Sequence, residues 1–165
     1  MNRISWDQYF MSVACLSAKR SKDPSTQVGA CIVDSKNRIL GTGYNGFPNI
    51  QNGCNDDVFP WTTESDDPAN NKYFYVVHAE VNAILNSADR NLSNSTMYVT
   101  HYPCVECAKL IVQSEIKTLI YKEKNTKSNN YADGYNATKK MFSLAKINCF
   151  QYDELDVLIT VMQQK

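Results

Sequence analysis

The sequence predicts a three-layer α/β/α domain built on a mixed five-stranded sheet. Apolar spacing along the chain switches between a helical period and strand-like runs in the order α-β-β-α-β-α-β-α-β, which implies a mixed sheet covered by helices. The length, 165 residues, suits one domain and allows a sizeable core, so a single domain over 1–165 is expected. No internal repeat or low-complexity segment breaks the pattern.

The elements follow in order. "WDQYFMSVACLSAKR" sets Trp6, Tyr9, Phe10, Val13, Ala14 and Leu16 at helical spacing, with Ser5 as N-cap. "VGACIVDSKNRILGTGYNG" reads as strand, turn, strand: residues 28–33 and 38–44 flank "DSKN", which is rich in turn formers. Residues 45–73 are polar, hold Gly46, Pro48, Gly53, Pro60 and Pro68, and show no sustained period. Structureless loops longer than about 15 residues are uncommon in compact domains and are usually functional. This one carries Cys54, Asp56, Asp57, Phe59 and Trp61, and a functional loop is expected over about 45–77.

A strand-type apolar run, "YVV", then stops at His78, where "HAEVNAILNSA" turns helical. "TMYVT" (96–100) is a strand, and "PCVECAKLIVQS" a helix with Pro103 at the first-turn position that proline favours. "IKTLIYK" (116–122) is a strand and 123–132 a polar loop. "DGYNATKKMFSLAK" is a helix on Tyr135, Met141, Phe142 and Ala145, and "INCFQY" a last strand. The tail "DELDVLITVMQQK" has no period that assigns it.

Composition bounds the function. Lys plus Arg and Asp plus Glu are both 17, so the formal charge is zero. A domain that tracks phosphate backbones usually carries a basic excess, so a small substrate is expected and a polynucleotide is not. No stretch reaches the roughly 20 apolar residues of a membrane helix, and "MNRISWDQYF" lacks the pattern of a secretory signal. A soluble cytoplasmic protein is the expectation, and the sequons at Asn94 and Asn136 are chance matches. Six cysteines stand at 15, 31, 54, 104, 107 and 149. A core of this size in a reducing compartment needs no disulfide staples. Cys15, Cys31 and Cys149 fall in apolar patterns and read as buried thiols.

The chain has two histidines, His78 and His101. His78 opens one predicted helix, and Cys104 and Cys107 open another. Thiols three residues apart share a helix face, and a helix N-terminus favours thiolates. One imidazole and two thiolates make three zinc ligands and leave a fourth position for water, as catalytic zinc requires. Glu80, two residues after His78, stands beside that water as a proton carrier. A redox Cys-x-x-Cys, or a closed structural zinc completed by His101 or Cys54, are the competing readings.

"HAE" with "PCVEC" matches the histidine–glutamate and paired-cysteine signature of nucleobase deaminases. The chain thereby resembles the cytidine/deoxycytidylate deaminase superfamily. "RSKDPSTQVGACIV", "GTGYNGFPN", "GCNDD", "YVVHAEVNAI" and "TMYVTHYPCVECAKLI" are similar to its deoxycytidylate (dCMP) deaminases, and the resemblance runs from about Trp6 to Phe150. It implies a cytidine-deaminase-like fold and hydrolytic deamination of dCMP to dUMP for dTMP synthesis. It also implies a homohexamer activated by dCTP and inhibited by dTTP. Zn²⁺ would be held by His78, Cys104 and Cys107, one ion per subunit, with Glu80 moving protons to and from the base while water attacks C4.

The resemblance further implies that Asn45 contacts the sugar and the Ala79 N–H the base edge. Ser21 and Lys22 are candidates for the 5′-phosphate, and Tyr102 for the base pocket, with Tyr131 and Tyr135 behind it. "GYNGFPNIQNGCNDD" resembles the effector-binding loop, which makes Gly43, Tyr44, Gly46, Asp56 and Asp57 candidates for the regulatory nucleotide and its Mg²⁺. Some relatives hold a second zinc through the long loop. Here 45–77 contains no histidine, leaving Cys54 with His101, so a second zinc is not expected.

Overall fold

The structure, a computed structural model, describes residues 3–50, 59–88, 91–124 and 131–152. Cys54, Asp56, Asp57 and the tail 153–165 lie outside the described residues. Helix α1 (Trp6–Ala18) leads to strands β1 (Gly29–Val33) and β2 (Ile39–Tyr44). Helix α2 (Ala79–Leu85), strand β3 (Thr96–His101), helix α3 (Val105–Gln113) and strand β4 (Thr118–Glu123) follow. Helix α4 (Tyr131–Leu144) and strand β5 (Asn148–Gln151) complete the described order.

Local chemistry sets several boundaries. Ser5 caps α1, its hydroxyl accepting from the Gln8 N–H at 3.0 Å. Asp34 shapes the β1–β2 turn, its Oδ1 accepting from the amides of Lys36 and Arg38, while Asn37 takes the left-handed backbone (φ 60°) that Asn tolerates.

The sheet runs β2-β1-β3-β4-β5. β1 pairs antiparallel with β2 and β3, whereas β3–β4 and β4–β5 are parallel. Strand alternation divides the core in two. Ala30, Ile32, Met97, Val99, Leu119 and Tyr121 face one way and pack with residues of α2, α3 and α4. Cys31, Val33 and Tyr98 face the other way, against Phe10, Met11 and Ala14 of α1. β1 is buried on both faces, which is why it reads as an apolar run without alternation.

Glycines on β1 and β2 set how closely the helices approach. A Cβ on Gly29 would stand 2.0 Å from the Ala14 carbonyl oxygen of α1. One on Gly43 would stand 2.3 Å from both the Ala79 oxygen and the Ala83 nitrogen of α2. The backbone of α2, and with it His78, therefore lies directly on β2.

Two sequence expectations need correction. Residues 75–77 form no sheet strand: Gly46 and Val77 make one isolated antiparallel bridge (3.1 and 2.8 Å). The 3₁₀ turn Lys72–Phe74 just before them uses the amides of Tyr75 and Val76 for bonds back to Lys72, so these are not available to a ladder. Pro103 precedes the N-cap of α3, which is Cys104, and so lies outside the first turn.

The described part of the long loop is folded on its own aromatics. Phe47 packs on Trp61 and Phe59, with ring centroids 4.0 and 5.3 Å apart, and Phe59 on Tyr75 at 4.6 Å. Among the described residues no helix is long and apolar enough to cross a membrane.

Candidate active site

His78 is the N-cap of α2 and Cys104 the N-cap of α3, both with extended backbone. A cap residue ordinarily turns its side chain back onto the first amides. Neither does so here, and both side chains are left to point at one another. Cys107, one turn into α3, joins them. The His78 Nδ1 lies 3.4 Å from Cys104 Sγ and 3.3 Å from Cys107 Sγ. Tetrahedral zinc with ordinary Zn–N and Zn–S bonds requires N···S separations of about 3.6 Å, so these donors fit such an ion with little movement. They are the group of this kind among the described residues, with all three ligand atoms within 4.8 Å of one another.

The protons on these groups are already ordered for metal binding. A hydrogen bond from Cys107 brings the Cys104 thiol down to about 4, while Cys107 is pushed well up by that same bond. The Cys104 hydrogen bond raises His78 to about 9. A divalent cation bound there would displace the protons these groups carry.

Glu80 is buried, and burial raises its carboxyl above the usual range against the lowering effect of His78. It lines a cavity of about 280 Å³ together with His78, Ala79 and Cys104. Tyr102 and His101 stand along the cavity as well. Tyr102 is held by ring contacts to Tyr121 and Tyr135, both with centroids 4.8 Å away. His101 has Nδ1 3.2 Å from the Thr100 hydroxyl and takes no part in the His/Cys/Cys group.

Asn45 lines the cavity too, but its amide is engaged by the wall. Its Oδ1 accepts from the Val28 N–H (2.8 Å), and its Nδ2 donates to the Thr26 carbonyl (3.0 Å) and to Asp23 Oδ2 (3.3 Å). Ser21 is buried away from the cavity lining, its hydroxyl accepting from the Asp23 N–H. Lys22 lines a neighbouring groove with Lys19, and Ser25, Thr26 and His101 border both spaces. Gly43 serves the approach of α2, the Tyr44 carbonyl accepts from Asn82 Nδ2, and Gly46 bridges to Val77. Tyr131 begins α4.

Sequence reasoning missed Asp23 and Lys72. They form a buried ion pair on the cavity wall, with Lys72 Nζ 2.8 and 2.9 Å from the two carboxylate oxygens. They are 49 positions apart, and no local pattern couples them.

A family model described as the cytidine and deoxycytidylate deaminase zinc-binding region matches residues 4–123. The chain belongs to the cytidine and deoxycytidylate deaminase family. Within it, a probable deoxycytidylate deaminase of Drosophila melanogaster is 54% identical over 145 residues, covering 84% of this chain and 68% of the relative. The human deoxycytidylate deaminase is 49% identical over 146 residues, covering 87% and 78%. A dCMP deaminase from the cyanophage S-TIM5, solved in complex with dCMP and dUMP, superposes with a TM-score of 0.66 at 24% identity. The match covers 92% of this chain and all of that one, and it shows that the deaminase family's α/β fold is shared.

Proposed function

We propose that this family member deaminates dCMP hydrolytically to dUMP, with zinc at His78, Cys104 and Cys107 and with Glu80 as the proton carrier. The observation that carries the reading is a buried carboxyl, whose proton affinity burial raises, lining the same cavity as His78 and Cys104 of a His/Cys/Cys trio that could hold a metal ion. Bound there, zinc would act as a Lewis acid that lowers the pKa of a coordinated water towards about 7. Glu80 accepts the water's proton, donates it to N3 of the base as oxygen adds to C4, and assists protonation of the amine that leaves as ammonia. The Ala79 amide, at the first position of α2 and lining the cavity, has no intrahelical acceptor and suits a base carbonyl. Tyr102, fixed by its ring contacts, walls the base.

The relatives' names support a deoxynucleotide monophosphate as substrate. For its 5′-phosphate, the groove that continues past Ser25 and Thr26 to Lys19 and Lys22 offers hydroxyls and ammonium groups. Asn45 acts for the sugar by shaping the wall, and the segment 45–77 serves the site as a whole. Activation by dCTP and inhibition by dTTP rest on the likeness of the Gly43–Gly46 region to the family's effector loop, and assembly into a hexamer rests on the family resemblance as a whole. Magnesium with that nucleotide would depend on Asp56 and Asp57. A cytoplasmic, reducing setting is supported by the free thiols of Cys15, Cys31, Cys104, Cys107 and Cys149.

The test is ammonia release from the zinc-loaded protein, offered cytosine, cytidine, deoxycytidine, dCMP and dCTP in parallel, with dCTP and dTTP added as effectors. Turnover of dCMP alone, raised by dCTP and lowered by dTTP, is expected. Turnover of unphosphorylated nucleosides would keep the chemistry and remove the phosphate assignments, and no turnover of any of the five would overturn the reading.

A further inference from the structure

We propose that Lys72 is a positioning and charge-setting residue of the cavity: its ammonium fixes the Asp23 wall and cancels that carboxylate's charge where an anionic nucleotide binds. The inference rests on the reading of the cavity as a nucleotide monophosphate site. Lys72 and Asp23 are both almost wholly buried (3% and 6% exposed) and both line the cavity. Buried ion pairs contribute little net stability compared with apolar packing, so stability alone does not account for one on a cavity wall.

The bonding around the pair is directional. Asp23 Oδ1 accepts from the Ser25 and Thr26 amides, and Oδ2 accepts from Asn45 Nδ2. This carboxylate therefore organises the segment that borders both the cavity and the basic groove. Lys72 comes from the other side, out of the long loop and six residues before His78. Its N–H donates to the Thr62 carbonyl, and its own carbonyl accepts from Tyr75 and Val76. The ion pair thus ties the chain entering α2 to the wall that holds Asn45. Without the ammonium, the wall would carry an uncompensated negative charge towards a phosphate-bearing ligand.

Opposite single changes then have opposite electrostatic signs, which a purely structural role does not produce. The experiment measures the dissociation constant of dUMP by calorimetry on the zinc-loaded, full-length protein. It compares wild type with Lys72→Met, Asp23→Asn, the double variant and Lys72→Arg, with zinc content and thermal midpoint recorded for each. Lys72→Met is expected to weaken dUMP about tenfold or more, from one unscreened charge at low effective dielectric. The neutral double variant should recover to within about threefold of wild type, as should Lys72→Arg, and Asp23→Asn should bind at least as tightly as the double.

Should Lys72→Met fail to fold, the order of Asp23→Asn and the double variant still reads the sign. Equal losses in both single variants, or a double variant as weak as Lys72→Met, would overturn the proposal. So would Lys72→Met binding within about twofold of wild type, since one unpaired charge should exceed that. Absence of dUMP binding by the wild type would instead overturn the nucleotide reading on which it rests.

Discussion

Glu80 and Cys31 both sit out of water, and burial pushes both towards the neutral form, with different consequences. For Glu80 the result is a carboxyl that holds its proton more tightly than an exposed glutamate does. Glu80→Gln keeps the shape and removes the carboxyl. The variant is expected to retain zinc by elemental analysis while ammonia release from dCMP falls roughly 10²–10⁴-fold. Unchanged turnover would exclude Glu80 as the carrier. For Cys31, burial raises the thiol to about 12. The unfolded chain ionises near its ordinary value of about 8.5, so this thiol's contribution is intact below that pH and is lost as pH rises towards 12. Over that window it costs about 1.4 kcal/mol of stability per pH unit. Cys31→Ala should therefore show a shallower alkaline loss of stability than wild type in urea titrations between pH 8 and 10.5, whatever its offset at pH 7.

At the scale of elements, the close approach of α2 to β2 depends on Gly43, with Gly41 beside it. Gly43→Ala would have to displace the backbone at Ala79 and Ala83. A cost of about 3 kcal/mol is expected, read as a thermal midpoint lower by roughly 10 °C. Ser5→Ala, which removes one cap from α1, should cost only about 1 kcal/mol. Most of these elements could be read from the sequence because they are locally determined. The cap of α1, the "DSKN" turn and the helical period of "HAEVNAIL" each lie within a few residues of their cause. The run at 75–77 reads as a strand from its apolar content, but the amides of Tyr75 and Val76 are used by the turn before it and only Val77 pairs, with Gly46. The His/Cys/Cys group was legible because its residue types are rare and its spacing is chemical. Asp23 with Lys72 was not, because an ion pair across 49 positions exists only once the fold has brought them together. Ser21 illustrates the same limit: its neighbourhood suggested a ligand contact, and its hydroxyl is turned inward to Asp23.

For the molecule as a whole, the candidate metal site joins two places that are separate in sequence: the start of α2, where the long loop ends, and the start of α3. Occupancy of the site should therefore act on global stability. With zinc a hundredfold above its dissociation constant, the folded state gains about 2.7 kcal/mol by mass action. A strong chelator should accordingly lower the thermal midpoint by several degrees, and re-addition of zinc should restore it. A midpoint indifferent to chelation would mean that the folded chain does not hold the ion.

The caps of α2 and α3 carry one more consequence. By turning away from their own helices, His78 and Cys104 leave the opening amides of both without the side-chain acceptor that Ser5 gives α1. The geometry of the candidate site thus depends on two helix starts that lack the side-chain anchor of α1. Hydrogen–deuterium exchange should register this as a matched pair of fast-exchanging patches at the starts of α2 and α3 in metal-stripped protein. Both should slow together when zinc returns, while the start of α1 keeps its own pace throughout.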